Sequence, residues 1–332
     1  MIRPLPATVL VTGANGFLGG HVCAALVARR IAVRGLVRHA EAGLPAGAVA
    51  APARGLDDLA AIRAALRGVD GVIHLAARVH QRTTPGFAAA FRAVNVEGTR
   101  TLLREAISAG ARNFVFFSSV KAVGEESDTP WTEATPPAPS DAYGATKLEA
   151  EAVVRSLAGR AGVHAPILRL PLVYGPEMKA NALRLFQLVD RGVPLPLGSV
   201  RNRRSLLFTG NLMAALFASL ESPAGSDTFF VSDAEDLSTP ELVRLIARSL
   251  GRRARLVPVP VGLLRMAGRV GDVVARAGPF PLTTAAIDRL VGSLSVDSSK
   301  LTRLTGYSPP YSVAEGLRIT AEWYRGRFRP AH

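Results

Sequence analysis

The sequence predicts an α/β fold: a doubly wound parallel sheet with helices on both faces, followed by a smaller C-terminal α/β lobe. Three observations carry that expectation. A glycine-rich turn, Thr12-Gly13-Ala14-Asn15-Gly16-Phe17-Leu18-Gly19, follows the apolar run Thr8-Val9-Leu10-Val11 and opens a helical segment. Apolar strand-like runs then alternate with helical patterns up to about residue 175, as repeated βαβ units require. Finally, 332 residues with 48% apolar content can bury a large core and divide into two lobes.

In chain order, strands are expected at 9–11, 33–37, 71–75, 113–117 and 165–170. Helical patterns lie between them, from Phe17 to about Arg29 and at 57–67, 86–109 and 141–160. From Pro171 onward the pattern breaks into shorter helices and proline-rich turns such as Pro194-Leu195-Pro196-Leu197-Gly198. Asp227-Thr228-Phe229-Phe230-Val231 reads as a late strand that returns to the main sheet. The expected division is therefore 1–175 and 176–332, with no internal repeat and no low-complexity segment.

The strand–glycine turn–helix order is the context in which such a loop reads as a dinucleotide fingerprint. Gly13 permits the tight turn, Gly16 admits a pyrophosphate close to the backbone, and Gly19 lets helix and strand pack closely. The helix N-terminus adds unpaired N–H groups and a positive dipole end for phosphates. A glycine turn without a ligand is the plainer reading, disfavoured because this loop begins a βαβ pattern.

A net charge of +14, almost wholly arginine, points to anionic partners. The basic residues are scattered, with short clusters only at Arg201-Asn202-Arg203-Arg204 and Arg252-Arg253-Ala254-Arg255. Without a basic tract interleaved with aromatics, nucleic acid is not expected. Polyanionic small molecules or peripheral contact with an anionic membrane surface fit the charge. The single cysteine, Cys23, excludes an intrachain disulfide and suits a reducing cytoplasm, and its helical position reads as a packed side chain. The first apolar run is too short for a signal peptide, no 18-residue apolar span suggests a membrane helix, and no metal is expected.

Tyr143-Gly144-Ala145-Thr146-Lys147 places a phenol and an ammonium one helical turn apart. A phenol titrates near pH 10, and a neighbouring ammonium would pull it toward working range. Ser119, 24 residues earlier, could hold the same reacting oxygen.

In this order the motifs resemble the extended short-chain dehydrogenases/reductases, particularly those that modify nucleotide-sugars. The resemblance spans nearly the whole chain. It rests on Thr12–Gly19 as T-G-x-x-G-x-x-G, His74-Leu75-Ala76-Ala77, Val94-Asn95-Val96-Glu97-Gly98-Thr99 and Ser118-Ser119-Val120-Lys121-Ala122-Val123-Gly124. Tyr143 and Lys147, Arg169-Leu170-Pro171-Leu172-Val173-Tyr174-Gly175-Pro176 and Asp297-Ser298-Ser299-Lys300 complete the series. The resemblance implies a Rossmann domain over 1–175 and a nucleotide-sugar lobe over 176–332. It makes Tyr143 the proton-transfer group, Lys147 the residue that tunes it and binds the nicotinamide ribose, and Ser119 the hydroxyl on the reacting oxygen. It also implies cofactor contacts from Gly13, Asn15, Gly16, Phe17, Leu18, Gly19, Leu75, Ala76, Ala77, Asn95 and Pro171. Asn95 has a plainer role securing backbone, and His74 reads as structural.

Three departures from the family pattern sharpen the reading. Gly35-Leu36-Val37-Arg38-His39 lacks the carboxylate that binds a ribose 2′-hydroxyl, and Arg38 could face a 2′-phosphate, so NADP(H) is favoured over NAD(H). In Arg54-Gly55-Leu56-Asp57-Asp58, Gly55 stands where the family's adenine-binding aspartate belongs, leaving Asp57 or Asp58 as the adenine contact. Val120-Lys121 replaces the Asp-Glu pair that serves the 4,6-dehydratases, so water elimination is disfavoured.

What remains is reduction of a C4 keto group or C4 epimerisation, on a UDP-linked sugar. The chain resembles bacterial polysaccharide-biosynthesis reductases acting on UDP-linked 2-acetamido-2,6-dideoxy-4-keto sugars, and it also resembles NAD-dependent UDP-glucose 4-epimerases. A non-catalytic NADP-binding sensor or assembly subunit is the reading from another class, opposed by the intact Ser119, Tyr143 and Lys147. Substrate contacts implied by the resemblance are Lys121, Lys179, Asn181, Leu195, Arg204 and Arg289, with Arg204 and Arg289 on the diphosphate. Relatives dimerise through the two long helices, so a homodimer is expected.

Overall fold

The computed structural model describes residues 2–79, 87–275 and 283–329. Its centre is a seven-stranded parallel sheet. The strands are β1 (Thr8–Thr12), β2 (Ala32–Val37), β3 (Ala48–Pro52), β4 (Gly71–His74), β5 (Asn113–Ser119), β6 (Ile167–Leu170) and, after the short β7 (Leu172–Tyr174) and β8 (Leu206–Phe208), β9 (Thr228–Phe230). The order β3-β2-β1-β4-β5-β6-β9 reverses direction between β1 and β4, which opens a crevice at the carboxyl ends of those strands. The late strand does return, pairing Leu168 with Phe229 beside β6.

Apolar residues cover both faces of this sheet, as a parallel sheet flanked by helices demands. One face packs Val9, Val11, Val33, Ile73 and Val115 under the helices Phe17–Ala28 and Thr209–Glu221. The other packs Leu10, Val72, Phe114 and Phe116 under Leu59–Leu66, Gly98–Ser108 and Ala142–Ala161. A separate apolar cluster around Tyr174, Phe186, Phe208, Val243, Leu317 and Tyr324 joins β7 and β8 to the C-terminal helices.

Two details differ from the sequence pattern. The expected helix 86–109 is divided: Phe87–Arg92 and Gly98–Ser108 flank a π-helical turn, Ala93–Glu97, that turns Asn95 inward. Residue 86 of that helix, and positions 276–282 and 330–332 of the second expected lobe, lie outside the described residues. The edge strand β3 is additional, an alanine-rich segment whose pattern carries little alternation. No helix among the described residues is long and apolar enough to cross a membrane.

Candidate active site

The glycine loop begins at the carboxyl end of β1. Gly13 holds φ at +68°, a conformation costly for any residue with a Cβ, and a Cβ there would press on Ala76 N at 3.1 Å. A Cβ on Gly19 would run into the Gly13 carbonyl and meet the Ala14 Cα at 2.8 Å, so the helix reaches the strand only because this position is bare. Gly16 is the helix N-cap and no side chain caps the first turn. This cradle suits a pyrophosphate, because bare backbone and a helix N-terminus converge on it. Asn15 is exposed at the loop tip, while Phe17 and Leu18 are half-buried behind it.

A chain of hydrogen bonds fixes the floor beneath the loop. Thr99 Oγ1 donates to the Asn95 carbonyl at 2.7 Å, so it must accept from His74 Nε2, 2.9 Å away. His74 Nδ1 is then the acceptor for the Thr12 hydroxyl at 2.6 Å, while Thr12 Oγ1 accepts the N–H groups of Leu75 and Ala76. Burial, and secondarily Lys147, push the His74 imidazole down to about 3, which keeps it neutral. His74 therefore anchors Leu75 and Ala76 rather than exchanging protons. Asn95 does similar work: its amide clasps both backbone groups of Arg78 and donates to Thr146 Oγ1 at 3.1 Å.

Ser119 ends β5 and Tyr143 begins the helix Ala142–Ala161, whose N-cap is Asp141. The phenol comes near enough to the serine hydroxyl for Ser119 to lower its pKa. Gly144 makes that possible, since a Cβ there would collide with the Lys121 carbonyl in the turn that follows Ser119. Burial pushes the Tyr143 phenol up to about 12, the nearby Ser119 hydroxyl pulling against it and the Asp141 charge adding to it. Lys147, expected to draw the phenol down, instead donates from Nζ to the Phe117 carbonyl at 2.6 Å. Burial pushes its ammonium down to about 7, against the charge of Glu151.

Glu151 continues the spacing of Tyr143 and Lys147 by a further turn and is fully buried. It accepts from Ser118 Oγ at 2.6 Å and forms a bidentate pair with Arg169 at 3.0 and 2.8 Å. Sequence reasoning passed over this glutamate. The repeat at 143, 147 and 151 was the available signal; its closest partners come from β5 and β6, with Arg155 of its own helix at 3.4 Å.

The other expected residues are less uniform. Arg38 is exposed just beyond β2, at the carboxyl edge of the sheet. Asp58 caps the helix Leu59–Leu66, whereas Asp57 stays exposed, lining with Arg54 and Asp58 a depression of about 390 Å³. Ala77 is half-buried beside Ala76, and Pro171 is buried between β6 and β7. Lys121 pairs with Glu125 at 2.8 Å and Asp141 at 2.7 Å. Burial works against its charge, but the two carboxylates outweigh that and hold its pKa above the ordinary value. Arg204 Nη1 donates to the carbonyls of Arg289 and Gly292 at 2.7 and 2.9 Å, and burial lowers its pKa. Arg289, Lys179 and Asn181 are exposed, while Leu195 is buried in the second apolar cluster. Cys23 is buried and its thiol is pushed up to about 11 by that burial, so it packs and does not react. No group of metal-ligating residues occurs among the described residues.

A glycine cradle at a strand-order reversal, with Ser119, Tyr143 and Lys147 gathered at the end of β5, fits a nucleotide-dependent oxidoreductase of Rossmann type. The chain belongs to the NAD dependent epimerase/dehydratase family, whose model matches residues 9–231. It is 33% identical to a UDP-glucose 4-epimerase of Vibrio cholerae, covering 96% of each chain. It is 29% identical to a ceramide reductase of Caulobacter vibrioides, covering 96% of this chain and 94% of the relative. The crystal structure of a dTDP-glucose 4,6-dehydratase from Streptomyces venezuelae with NAD bound superimposes with a TM-score of 0.74 at 26% identity, covering 97% and 99% of the two chains. The protein is an enzyme of this nucleotide-sugar epimerase/dehydratase family.

Proposed function

We propose that this enzyme is an NADP(H)-preferring reductase of the C4 keto group of a UDP-linked 2-acetamido-2,6-dideoxy hexose, feeding polysaccharide biosynthesis in the cytoplasm. The observation that carries the reading is the placing of the Tyr143 phenol beside Ser119, with the phenol held protonated at neutral pH by burial. A protonated phenol is the group a ketone needs as its oxygen becomes a hydroxyl. The nicotinamide supplies the hydride. Ser119 steadies the oxygen as charge develops, and Lys147 binds ribose and replenishes charge near the phenol. Lys121, tied to Glu125 and Asp141, stands where an eliminating enzyme needs a free acid–base pair, which argues against dehydration.

In this reading residues 1–175 with β9 hold the dinucleotide and 176–332 hold the UDP-sugar. Arg38 meets the 2′-phosphate and Asp57 the adenine. Lys179, Asn181, Leu195, Arg204 and Arg289 belong to the substrate side; Arg204 reaches a diphosphate only after releasing the carbonyls of Arg289 and Gly292. A homodimer through Gly98–Ser108 and Ala142–Ala161 completes the reading. The second reading is a UDP-hexose 4-epimerase using NAD, favoured by the Vibrio cholerae relative. One assay separates them: the protein with NADPH or NADH and a UDP-4-keto-6-deoxy sugar. Stoichiometric NADPH oxidation supports reduction, while interconversion of UDP-glucose and UDP-galactose without net oxidation overturns it in favour of epimerisation.

A further inference from the structure

The helix Val261–Val274 carries an apolar face that no described residue buries. Its inward side, Leu264, Gly268 and Gly271, is buried. That side packs closely on the helix Thr284–Val291, since a Cβ on Gly268 would stand 2.9 Å from the Thr284 Cα. A surface helix should then turn polar residues outward. Here Leu263, Met266, Val270 and Val273 point outward with 54%, 59%, 65% and 61% of their surface exposed, and Val274 is exposed beside them. At 100° per residue these five side chains fall within one arc of about 100°.

Charge flanks that arc on one side. Arg269 lies next to it and is exposed. Arg265 follows, paired at 3.0 Å with Asp288 yet still half-exposed. Asp272 lies furthest from the apolar arc and accepts the Thr284 N–H at 3.1 Å. The protein as a whole carries a net charge of +14.

We propose that this helix lies flat against an anionic lipid bilayer, its apolar arc entering the headgroup boundary and its arginines meeting lipid phosphates. Size argues for a bilayer over a second copy of the chain. A 14-residue helix is about 21 Å long, and an arc of about 100° on it offers an area on the order of 200 Å². A specific protein interface needs about 800 Å² from each partner. An interfacial helix needs only one apolar stripe with basic neighbours.

The test is co-sedimentation of the full chain with vesicles of phosphatidylglycerol and phosphatidylcholine, and with phosphatidylcholine alone. The expected result is pelleting with the anionic vesicles, weakened by salt and absent with phosphatidylcholine. The combined variant Leu263→Gln, Met266→Gln, Val270→Gln should partition at least about tenfold less, with an unchanged thermal midpoint. Should that variant fail to fold, Arg269→Glu tests the charge alone and should weaken pelleting several-fold. Unchanged pelleting by a folded triple variant or by Arg269→Glu overturns the proposal, as does wild-type protein that stays with the supernatant. A wild-type dimer that the triple variant converts to monomer overturns it in favour of a self-interface.

Discussion

Tyr143 and Lys147 lie one helical turn apart, yet the phenol is influenced by Ser119 while the ammonium donates to the Phe117 carbonyl at 2.6 Å. The pair is thus divided between two strand-end partners, and burial leaves the phenol a proton donor at neutral pH. Replacing Tyr143 by Phe removes only that hydroxyl. Turnover should fall about 10²- to 10⁴-fold, the usual share of a positioned acid. Nicotinamide-cofactor affinity, measured by fluorescence titration, should change little. A fully active Tyr143→Phe protein would show that the proton comes from elsewhere.

Lys147 makes stability depend on alkaline pH. Its folded pKa of about 7 lies below the unfolded value of 10.5, so the unfolded chain binds more protons between the two. Its burial cost is fully present below about pH 7 and is relieved as pH rises toward the unfolded value. The contribution is on the order of a few kcal/mol. Denaturant titrations of the cofactor-free protein should show stability rising from about pH 7 to pH 9.5, and Lys147→Met should flatten that rise. Parallel pH profiles for the two proteins would refute the assignment.

Gly144 sets the distance between the catalytic helix and the turn after Ser119, because a Cβ there would strike the Lys121 carbonyl. Backbone cannot yield as a flexible side chain can. Gly144→Ala should therefore cost about 1–3 kcal/mol despite alanine's better helix propensity. It should also lower kcat by parting Ser119 from Tyr143. Stability above wild type, with unchanged kcat, would mean that the helix start moves freely.

Most of the parallel sheet was legible, because near-continuous apolar strands and the glycine loop are local patterns. β3 was not, since Ala48–Pro52 lacks the β-branched and aromatic residues that mark strands, and β7 and β8 are three residues each. At the site, the bare backbone that the glycine turn calls for is present, since a Cβ on Gly13 would press on Ala76 and one on Gly19 would run into the Gly13 carbonyl. The present partners of Lys147 and Arg204 were not legible. The Phe117 carbonyl is supplied by another strand, and the Arg289 and Gly292 carbonyls lie some 85 residues from Arg204, beyond any local pattern.

Arg38 offers a direct measure of cofactor choice. It is exposed at the carboxyl end of β2, with no acidic residue in the expected ribose position. A charge-assisted bond to a 2′-phosphate is worth about 1.5–3 kcal/mol, so Arg38→Asp should cut kcat/KM for NADPH about ten- to a hundredfold. The value for NADH should hold or rise. Equal losses with both cofactors, or none with either, would remove the basis for NADP(H) preference.

Glu151 and Arg169 form the one pair whose disruption should be felt throughout the site. The glutamate is fully buried, and besides Arg169 it holds Ser118, the residue before Ser119. One Arg169 nitrogen, Nη1, already lacks a hydrogen-bond partner, so the guanidinium depends on this carboxylate. Glu151→Leu leaves that cation unpaired and should cost about 3–5 kcal/mol. Adding Arg169→Met removes the stranded charge, and the double variant should recover much of the loss, because an apolar pair of similar volume is often neutral. Catalysis provides the second readout. Ser118 and Lys147 lose the same carboxylate in both proteins, so kcat should stay depressed even where stability returns. Recovery of kcat together with stability would make Glu151 a packing residue only.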